Sequence, residues 1–205
     1  VIDYWYQEFG IDGIRYDVVD EISDEGVYLC CDSGKRNNSD SLFIGEVWKN
    51  PMRQNRGYMR SGKGMHTVMN YQWEDSLIRY YKYGASRFLQ EKIEEIMTEY
   101  PEDSIRTLMN FTSTHDISRL SEIFARDCFN KEYGDEKWAW NLLDDSMRLD
   151  GTLKLSNSEY KQGRRTLMLY IFTIMFMPGI VSIFYGDEVG LGGLGNLANR
   201  APYPW

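Results

Sequence analysis

Short apolar segments that read as strands alternate along this chain with segments of helical period. Apolar residues at positions 2, 5, 6 and 9 fit one face of a helix that Gly10 is placed to end, and the strand Ile11–Val18 follows directly. Four more strands are predicted at 42–48, 66–71, 105–111 and 180–185. Because these strands are mostly apolar and do not alternate, both faces of the sheet are expected to be covered. The pattern predicts an α/β fold with a parallel sheet.

The segments between the strands carry further predictions. A strong amphipathic helix is predicted from 88 to 100, where Pro101 stops it, and two more helical patterns lie at 138–149 and 160–177. Residues 20–31 form a weaker helix pattern, whereas 32–41 and 50–64 read as loops. The apolar run Leu167–Phe184 is interrupted by Pro178 and Gly179. It predicts a buried helix followed by a buried strand, and no transmembrane helix.

Polar side chains stand where the predicted strands end. They are Asp17, Glu46, the pair His115 and Asp116, and the pair Asp187 and Glu188. Five strands with helices between them fit either an open doubly wound sheet or part of an eight-stranded barrel. Catalytic side chains in a barrel come from the C-terminal ends of several different strands. The position of these side chains therefore favours the barrel.

Three of these acids suit the hydrolysis of glycosidic bonds. Arg15 and Asp17 lie two residues apart and so point to the same face of their strand. The neighbouring guanidinium favours the ionised carboxylate that a nucleophile needs. The apolar neighbours of Glu46 favour the protonated form that a general acid needs. Together with Asp116, these residues supply one carboxylate to attack the anomeric carbon and one acid to assist the leaving oxygen.

Each acid alone also has a simpler interpretation. An Arg-x-Asp sequence at a strand end is more often a structural ion pair than a catalytic one. Glu46 fits a sheet-edge acid, and Asp116 fits a helix N-cap. These interpretations leave unexplained why the acids occur at equivalent strand ends, so the catalytic hypothesis is favoured for the set.

Several segments resemble motifs of one enzyme family. The sequences G-I-D-G-I-R-Y-D at 10–17, F-I-G-E-V-W at 43–48 and F-T-S-T-H-D at 111–116 resemble, in this order, three motifs of the α-amylase family, glycoside hydrolase family 13. V-M-N-Y at 68–71, Y-G-D-E at 185–188 and N-R-A-P-Y-P-W at 199–205 look like its neopullulanase, cyclomaltodextrinase and maltogenic amylase branch. The resemblance spans essentially all 205 residues.

This resemblance implies a (β/α)8 TIM barrel that hydrolyses α-glucosidic bonds with retention. Residues 1–205 would be a partial catalytic barrel domain covering roughly strands 4 to 8, with the upstream strands and a C-terminal β domain absent. The implied substrates are starch-derived oligosaccharides, cyclodextrins or pullulan, cleaved mainly at α-1,4 bonds through a covalent glycosyl-enzyme intermediate. By position in the motifs, Asp17 matches the nucleophile, Glu46 the general acid/base and Asp116 the third acid.

The resemblance also implies residues that bind substrate. Arg15 matches the arginine that orients the nucleophile, and His115 matches the histidine that binds sugar hydroxyls. Further residues are expected in the walls of the cleft, namely Trp48, Tyr71, Asn199 and Arg200. No metal site and no required cofactor are implied, although a structural calcium in the full-length protein is compatible with the resemblance.

Two segments depart from the branch, and two other functions stay open. The branch often reads V-A-N-E where this chain has V-V-D-E at 18–21, and a second arginine usually follows where this chain has Ala201. Both differences lie near the expected acceptor sugars, so bond preference stays open. One alternative is a non-catalytic carbohydrate-binding or interaction protein on the same barrel, and another is a transglycosylase or isomerase relative.

Composition limits the classes of partner. The net charge of -8 disfavours nucleic acid and anionic membranes, which both need a basic face. An α-glucan oligosaccharide is the expected partner, and a homodimer of the full-length protein is compatible with it. Three cysteines make no closed disulfide framework, so a reducing, cytoplasmic location is expected. Gly190, Gly192 and Gly195 match G-x-G-x-x-G, but no helical pattern follows, so no dinucleotide site is predicted.

Overall fold

The computed structural model describes residues 1–53, 57–59, 62–125, 155–194 and 198–205. Within these ranges the helices are α1 (Ile2–Phe9), α2 (Asp24–Asn37), α3 (Tyr71–Tyr83), α4 (Ser86–Glu99), α5 (Glu102–Arg106), α6 (Leu120–Ala125) and α7 (Asn157–Phe176). The strands are β1 (Gly13–Tyr16), β2 (Leu42–Gly45), β3 (Thr67–Val68), β4 (Met109–Phe111) and β5 (Ile180–Ser182). The helix predicted at 138–149 lies outside the described residues.

Two compact units divide the chain. The first comprises Val1–Trp73, Gln90–Asn110 and Pro178–Ile180, and the second comprises Glu74–Leu89, Phe111–Met177 and Val181–Trp205. The first unit holds the sheet β1–β2–β3, while β4 pairs with β5 in a two-stranded sheet.

The predicted parallel sheet is confirmed in the first unit. β1 pairs parallel to β2 with Gly13 opposite Leu42 and Tyr16 opposite Gly45, and β2 pairs parallel to β3. Both strands are shorter than the predicted 11–18 and 42–48. Their shared register aligns their C-terminal ends, so the residues that follow β1 and β2 emerge side by side.

Helix α1 matches the prediction, whereas α2 corrects it. Gly10 ends α1 in the left-handed conformation with φ 59°, which glycine adopts without steric cost. Helix α2 begins at the cap Ser23 and continues to Asn37, so the loop predicted at 32–41 is wrong over most of its length. Gly34 lies inside this helix without ending it, and a Cβ at its position would come within 2.6 Å of the Phe43 ring. It therefore serves close packing of helix on strand.

The predicted strands at 66–71 and 105–111 are also corrected. β3 ends at Val68, and Tyr71 begins α3, a helix that the sequence analysis did not predict. Ile105 belongs to α5, which starts directly after Pro101, and only Met109–Phe111 forms strand. Proline is tolerated at the start of a helix as well as after its end. The N–H groups of the first turn have no partner within the helix, so the N–H that proline lacks is not missed there.

Helix α7 confirms the predicted helix at 160–177 and extends it to Asn157. Ser156 and Glu159 form a capping box at its start. The expectation of a buried helix followed by a buried strand holds for one face of the helix only, and it is wrong for β5, in which Ile180 and Val181 are exposed. Leu167, Tyr170 and Ile174 are buried, while the other face exposes Met168, Leu169, Phe172, Met175 and Phe176. No helix among the described residues is long and apolar enough to cross a membrane.

Candidate active site

One guanidinium joins two of the predicted catalytic acids in the first unit. Arg15 lies in β1. Asp17 is the first residue after β1, and Glu46 is the first residue after β2. Arg15 Nη1 lies 2.5 Å from Asp17 Oδ1, and Arg15 Nη2 lies 2.9 Å from Glu46 Oε2. The structure thus brings together Arg15, Asp17 and Glu46, as expected from the positions of the two acids at strand ends.

The two carboxylates have opposite exposure. The side chain of Asp17 is 74% exposed, whereas that of Glu46 is 3% exposed. Two further donors hold Glu46 in place. The backbone N–H of Val18 donates to Oε2 over 3.0 Å, and the indole N–H of Trp48 donates to Oε1 over 3.1 Å. Asp17 is therefore open to a ligand, while Glu46 is fixed in a dry position beside it.

The chain reverses sharply after Asp17 through a left-handed residue. Val18 has φ 40° and ψ 51°, and it is the single non-glycine residue with positive φ among the described residues. A β-branched residue is strained in this region. A Cβ on Gly45 would lie 2.8 Å from Val19 Cγ1, so the turn packs closely against β2. The sequence does not indicate this conformation, because valine rarely adopts it.

Trp48 and Tyr71, which were expected in the cleft wall, stack on each other. Their ring centroids are 4.3 Å apart with an angle of 14° between the planes. Gln72 Nε2 donates to the Trp48 carbonyl over 2.8 Å and so ties α3 to the segment after β2. Trp48 is partly exposed, but Tyr71 is fully buried. Tyr71 thus supports Trp48 from behind instead of facing solvent.

A second group of predicted residues clusters in the second unit. His115 Nε2 lies 3.2 Å from Asp116 Oδ2, and Arg200 Nη2 lies 3.5 Å from Asp116 Oδ1. Arg200 Nε also donates to the His115 carbonyl over 3.0 Å. All three side chains are partly exposed. Asp116 therefore sits between a histidine and an arginine, in reach of a ligand.

Asn199, the other expected wall residue, is placed differently. Its side chain is fully buried, and its amide donates to the carbonyls of Thr114 over 3.0 Å and Ile117 over 2.5 Å. Asn199 thus lies beneath the turn that carries His115 and Asp116. In this structure it contacts the backbone of the site and is closed off from solvent.

A buried ion pair next to this turn was not predicted as part of the site. Arg119 Nη1 lies 2.9 Å from Asp187 Oδ1, and both side chains are fully buried. Burial raises the pKa of the Asp187 carboxyl, against the hydrogen bonds from Thr112 and Arg119 that lower it. The sequence signal was present in the basic residue three positions after Asp116 and in the acid after β5, but nothing in the sequence paired them.

Each of the two groups of residues presents an acidic side chain beside a cation. In the first unit, an exposed carboxylate and a buried carboxyl share one arginine. In the second unit, a third acid lies beside a histidine and an arginine. Among the described residues, no group of three or more histidine, cysteine or acidic side chains is arranged to hold a metal ion.

No family model matches the chain. It is 26% identical over 196 residues to a cyclomaltodextrinase of Geobacillus thermopakistaniensis (strain MAS1), covering 94% of this chain and 26% of that protein. It is 27% identical over 208 residues to Neopullulanase 2 of Thermoactinomyces vulgaris, covering 100% of this chain and 28% of that protein. The chain thus spans about a quarter of the length of these curated relatives. Their names confirm the resemblance that the motifs indicated.

Solved structures of related enzymes show which fold the chain shares. The cyclic α-maltosyl-(1→6)-maltose hydrolase from Arthrobacter globiformis, in complex with maltose, matches with a TM-score of 0.74 and 20% identity, covering 100% of this chain and 38% of that one. The acarbose-soaked Nostoc punctiforme debranching enzyme matches with a TM-score of 0.66 and 25% identity, covering 97% and 38%. The chain therefore has the fold of part of these (β/α)8-barrel enzymes.

Proposed function

We propose that this chain is part of the catalytic barrel of a retaining α-glucan hydrolase. The observation that carries the proposal is the single guanidinium of Arg15 between an exposed Asp17 and a buried Glu46. Retaining glycosidases use two carboxyl groups about 5 to 5.5 Å apart, whereas inverting enzymes need a wider gap for a water molecule. Contacts of 2.5 and 2.9 Å hold an oxygen of each carboxyl beside the same guanidinium, and the retaining assignment follows the family motifs that Asp17 and Glu46 match.

Asp17 is the proposed nucleophile. One of its carboxylate oxygens attacks the anomeric carbon, and the bond from this carbon to the leaving oxygen breaks as Glu46 transfers a proton to that oxygen. Arg15 supports this role because its positive charge favours the ionised carboxylate and its geometry limits the orientations of Asp17. In the second step, Glu46 takes a proton from water as the water displaces Asp17.

Glu46 is the proposed general acid and base. Its side chain is 3% exposed, so bulk water has little access to the carboxyl. The Val18 and Trp48 donors fix both of its oxygens, so the carboxyl is held in one orientation. Such positioning is the main requirement for efficient proton transfer once the acid is in reach of the leaving oxygen.

Asp116, His115 and Arg200 are proposed to bind sugar hydroxyls. The assignment rests on the F-T-S-T-H-D motif and on the contacts of these three residues with one another. A carboxylate accepts two hydrogen bonds from neighbouring hydroxyls, while the histidine and arginine donate. Neither proton transfer in the proposed cycle requires a metal ion or an organic cofactor.

The proposed substrates are α-glucan oligosaccharides, including cyclodextrins and pullulan, with cleavage mainly at α-1,4 bonds. The names of the relatives, cyclomaltodextrinase and neopullulanase, support this class, as does the maltose complex of a structural neighbour. We further propose that residues 1–205 supply roughly strands 4 to 8 of the barrel. The departure at 18–21 begins with Val18 and makes bond preference the property in which this protein is expected to differ from its relatives.

The test replaces each acid in the full-length protein and measures release of reducing sugar from maltodextrin. Asp17→Asn and Glu46→Gln are each expected to reduce turnover by about 10³-fold or more, as loss of a nucleophile or a general acid should. Asp12→Asn is a matched control, because Asp12 is an exposed acid directly before the same strand. Near-normal turnover in either active-site variant would contradict the proposal and favour a non-catalytic binding protein.

A further inference from the structure

The buried pair Arg119–Asp187 is an unusual feature of the second unit. Both side chains are fully buried, and the pair is 2.9 Å apart. Taking two charges out of water costs free energy that their attraction offsets only in part, so such a pair is a weak source of stability. Its physical consequence is to fix geometry, because a buried charge that loses its partner is strongly unfavourable.

Arg119 links three separate segments of the chain. Its Nε donates to the Asn199 carbonyl over 3.0 Å, and its Nη1 donates to the Tyr185 carbonyl over 2.6 Å. The guanidinium also lies over the rings of Phe184 and Tyr185, 4.6 and 4.9 Å from their centroids. A planar group held on its edges and on its face has one available orientation. The segment that carries Asn199 is thereby fixed relative to the start of α6.

Asp187 is anchored in its turn by the residue that follows β4. Thr112 Oγ1 donates to Asp187 Oδ2 over 2.6 Å, and the Phe184 N–H donates to the same Thr112 hydroxyl oxygen over 3.1 Å. The carboxylate that pairs with Arg119 therefore cannot swing freely. The ion pair therefore holds Thr112, the turn after β5 and the segment at 199 in fixed positions.

Asn199 transmits this position to the site. Its amide donates to the carbonyls of Thr114 and Ile117, which flank His115 and Asp116 on either side. The next residue, Arg200, donates to the His115 carbonyl and places its Nη2 3.5 Å from Asp116 Oδ1. A shift of Asn199 would therefore move both the backbone that carries Asp116 and the cation beside it.

We infer that Arg119 and Asn199 are positioning residues for Asp116. Both are fully buried, so neither touches the sugar, and they act by holding the turn 114–117 and Arg200 in place. This inference rests on the proposed function, because it assigns a role in the same site. It also gives Asn199 a different role from the cleft wall expected from the motif.

The first test uses Asn199→Ala in the full-length protein with α-maltosyl fluoride as substrate, whose good leaving group keeps rates measurable in weak variants. Misplacement of a reacting or binding group by about 1 Å costs on the order of 10²-fold in rate. We expect kcat to fall by about this factor. Arg119→Lys is the second variant, in which the charge is kept but the edge contacts to Asn199 and Tyr185 are lost. It is expected to show the same kind of loss.

A double-mutant cycle separates positioning from loss of structure. If Asn199 acts through Asp116, then adding Asn199→Ala to Asp116→Asn should cause little further loss in kcat/KM per folded molecule. Arg164→Gln is the matched control, because Arg164 donates to the Gly190 carbonyl in the segment after Asp187. Its effect on rate should be small and equal in both backgrounds.

Two results would overturn the inference. One is an equal fold-loss from Asn199→Ala in the wild-type background and in the Asp116→Asn background, since that shows that Asn199 does not act through Asp116. The other is wild-type kcat in a folded Asn199→Ala variant. Failure of the proposed function would look different, because the unmodified full-length protein would then have no activity toward the fluoride or toward maltodextrin.

Discussion

The backbone N–H of Val18 donates to the carboxyl of Glu46 over 3.0 Å, and Val18 holds a left-handed conformation to do so. Residues in strained backbone conformations persist where the surrounding structure fixes them, and they cluster at functional sites. Here the strain lies between the proposed nucleophile and the proposed general acid. The left-handed turn is thus part of how β1 and β2 place Asp17 and Glu46 together.

Replacing Val18 with glycine should stabilise the protein without loss of activity. Glycine adopts the left-handed region without steric cost and keeps the N–H that binds Glu46. We expect a gain of about 1 kcal/mol in the free energy of unfolding, because relief of the strain exceeds the entropy that glycine adds to the unfolded chain. Thermal unfolding and kcat measure the two effects. A folded Val18→Gly variant that is less stable than the wild type would show that Val18 is not strained.

Replacing Arg15 with lysine should impair catalysis although the charge is kept. An ammonium group is a single point of charge and cannot bond two carboxylates from fixed directions as a guanidinium does. We expect kcat/KM on maltodextrin to fall by about 10²-fold, since the orientation of the reacting group is lost. Arg36→Lys is the control, because Arg36 pairs with Asp32 on an exposed face of α2. Equal rates for Arg15→Lys and wild type would contradict the bridging role.

Glu74 should make stability depend on pH. Burial raises the pKa of this carboxyl well above its usual value, with a smaller contribution from Asp75, and neither of its oxygens has a hydrogen-bond partner among the described residues. The folded state therefore keeps a proton that the unfolded state releases above about pH 4.5. Stability is expected to fall as the pH rises above that value.

Comparison with Glu74→Gln checks this sign, because glutamine has no proton to release. The variant should gain stability relative to the wild type as the pH rises from about 4 to about 8, measured by urea unfolding at each pH. Asp103→Asn provides a control at an exposed acid in α5. Parallel stability curves for wild type and Glu74→Gln would show that Glu74 is not held protonated.

The isolated 205-residue chain should associate with itself and lack activity. One face of α7 exposes large apolar side chains, among them Met168, Phe172 and Phe176. Contiguous apolar patches and unpaired strand edges promote association. Light scattering after size exclusion should give a mass above that of the monomer. Phe172→Lys should lower this mass, whereas Leu29→Lys on α2 should not, and an active monodisperse monomer would contradict the prediction.

The parallel sheet and the acids at its edge could be predicted from the sequence, because strand ends in such folds meet at one edge. The strand pattern placed Asp17 and Glu46 next to each other without any knowledge of side-chain contacts. It could not predict the length of α2, since Gly34 reads as a loop signal and its role appears only in the contact with Phe43. Nor could it predict α3, because the strand pattern at 66–71 runs directly into the helix.

Burial separates the predicted wall residues in a way that motifs cannot. Trp48 and Arg200 are partly exposed, while Tyr71 and Asn199 are closed off from solvent. A motif records which residues occur together and does not say which ones support the others. The left-handed conformation of Val18 and the pair Arg119–Asp187 could not be predicted for a related reason. Both depend on contacts between residues far apart in the chain.

The most direct test of the central claim is to trap the covalent intermediate on the full-length protein. A 5-fluoro-α-glucosyl fluoride reacts with a retaining glycosidase to leave a slowly hydrolysed ester on the nucleophile. Peptide mass spectrometry should find one glycosyl group on the carboxyl of Asp17, and none in Asp17→Asn. A label on another residue, or steady turnover of maltodextrin with no label at all, would contradict the assignment of Asp17 as the nucleophile.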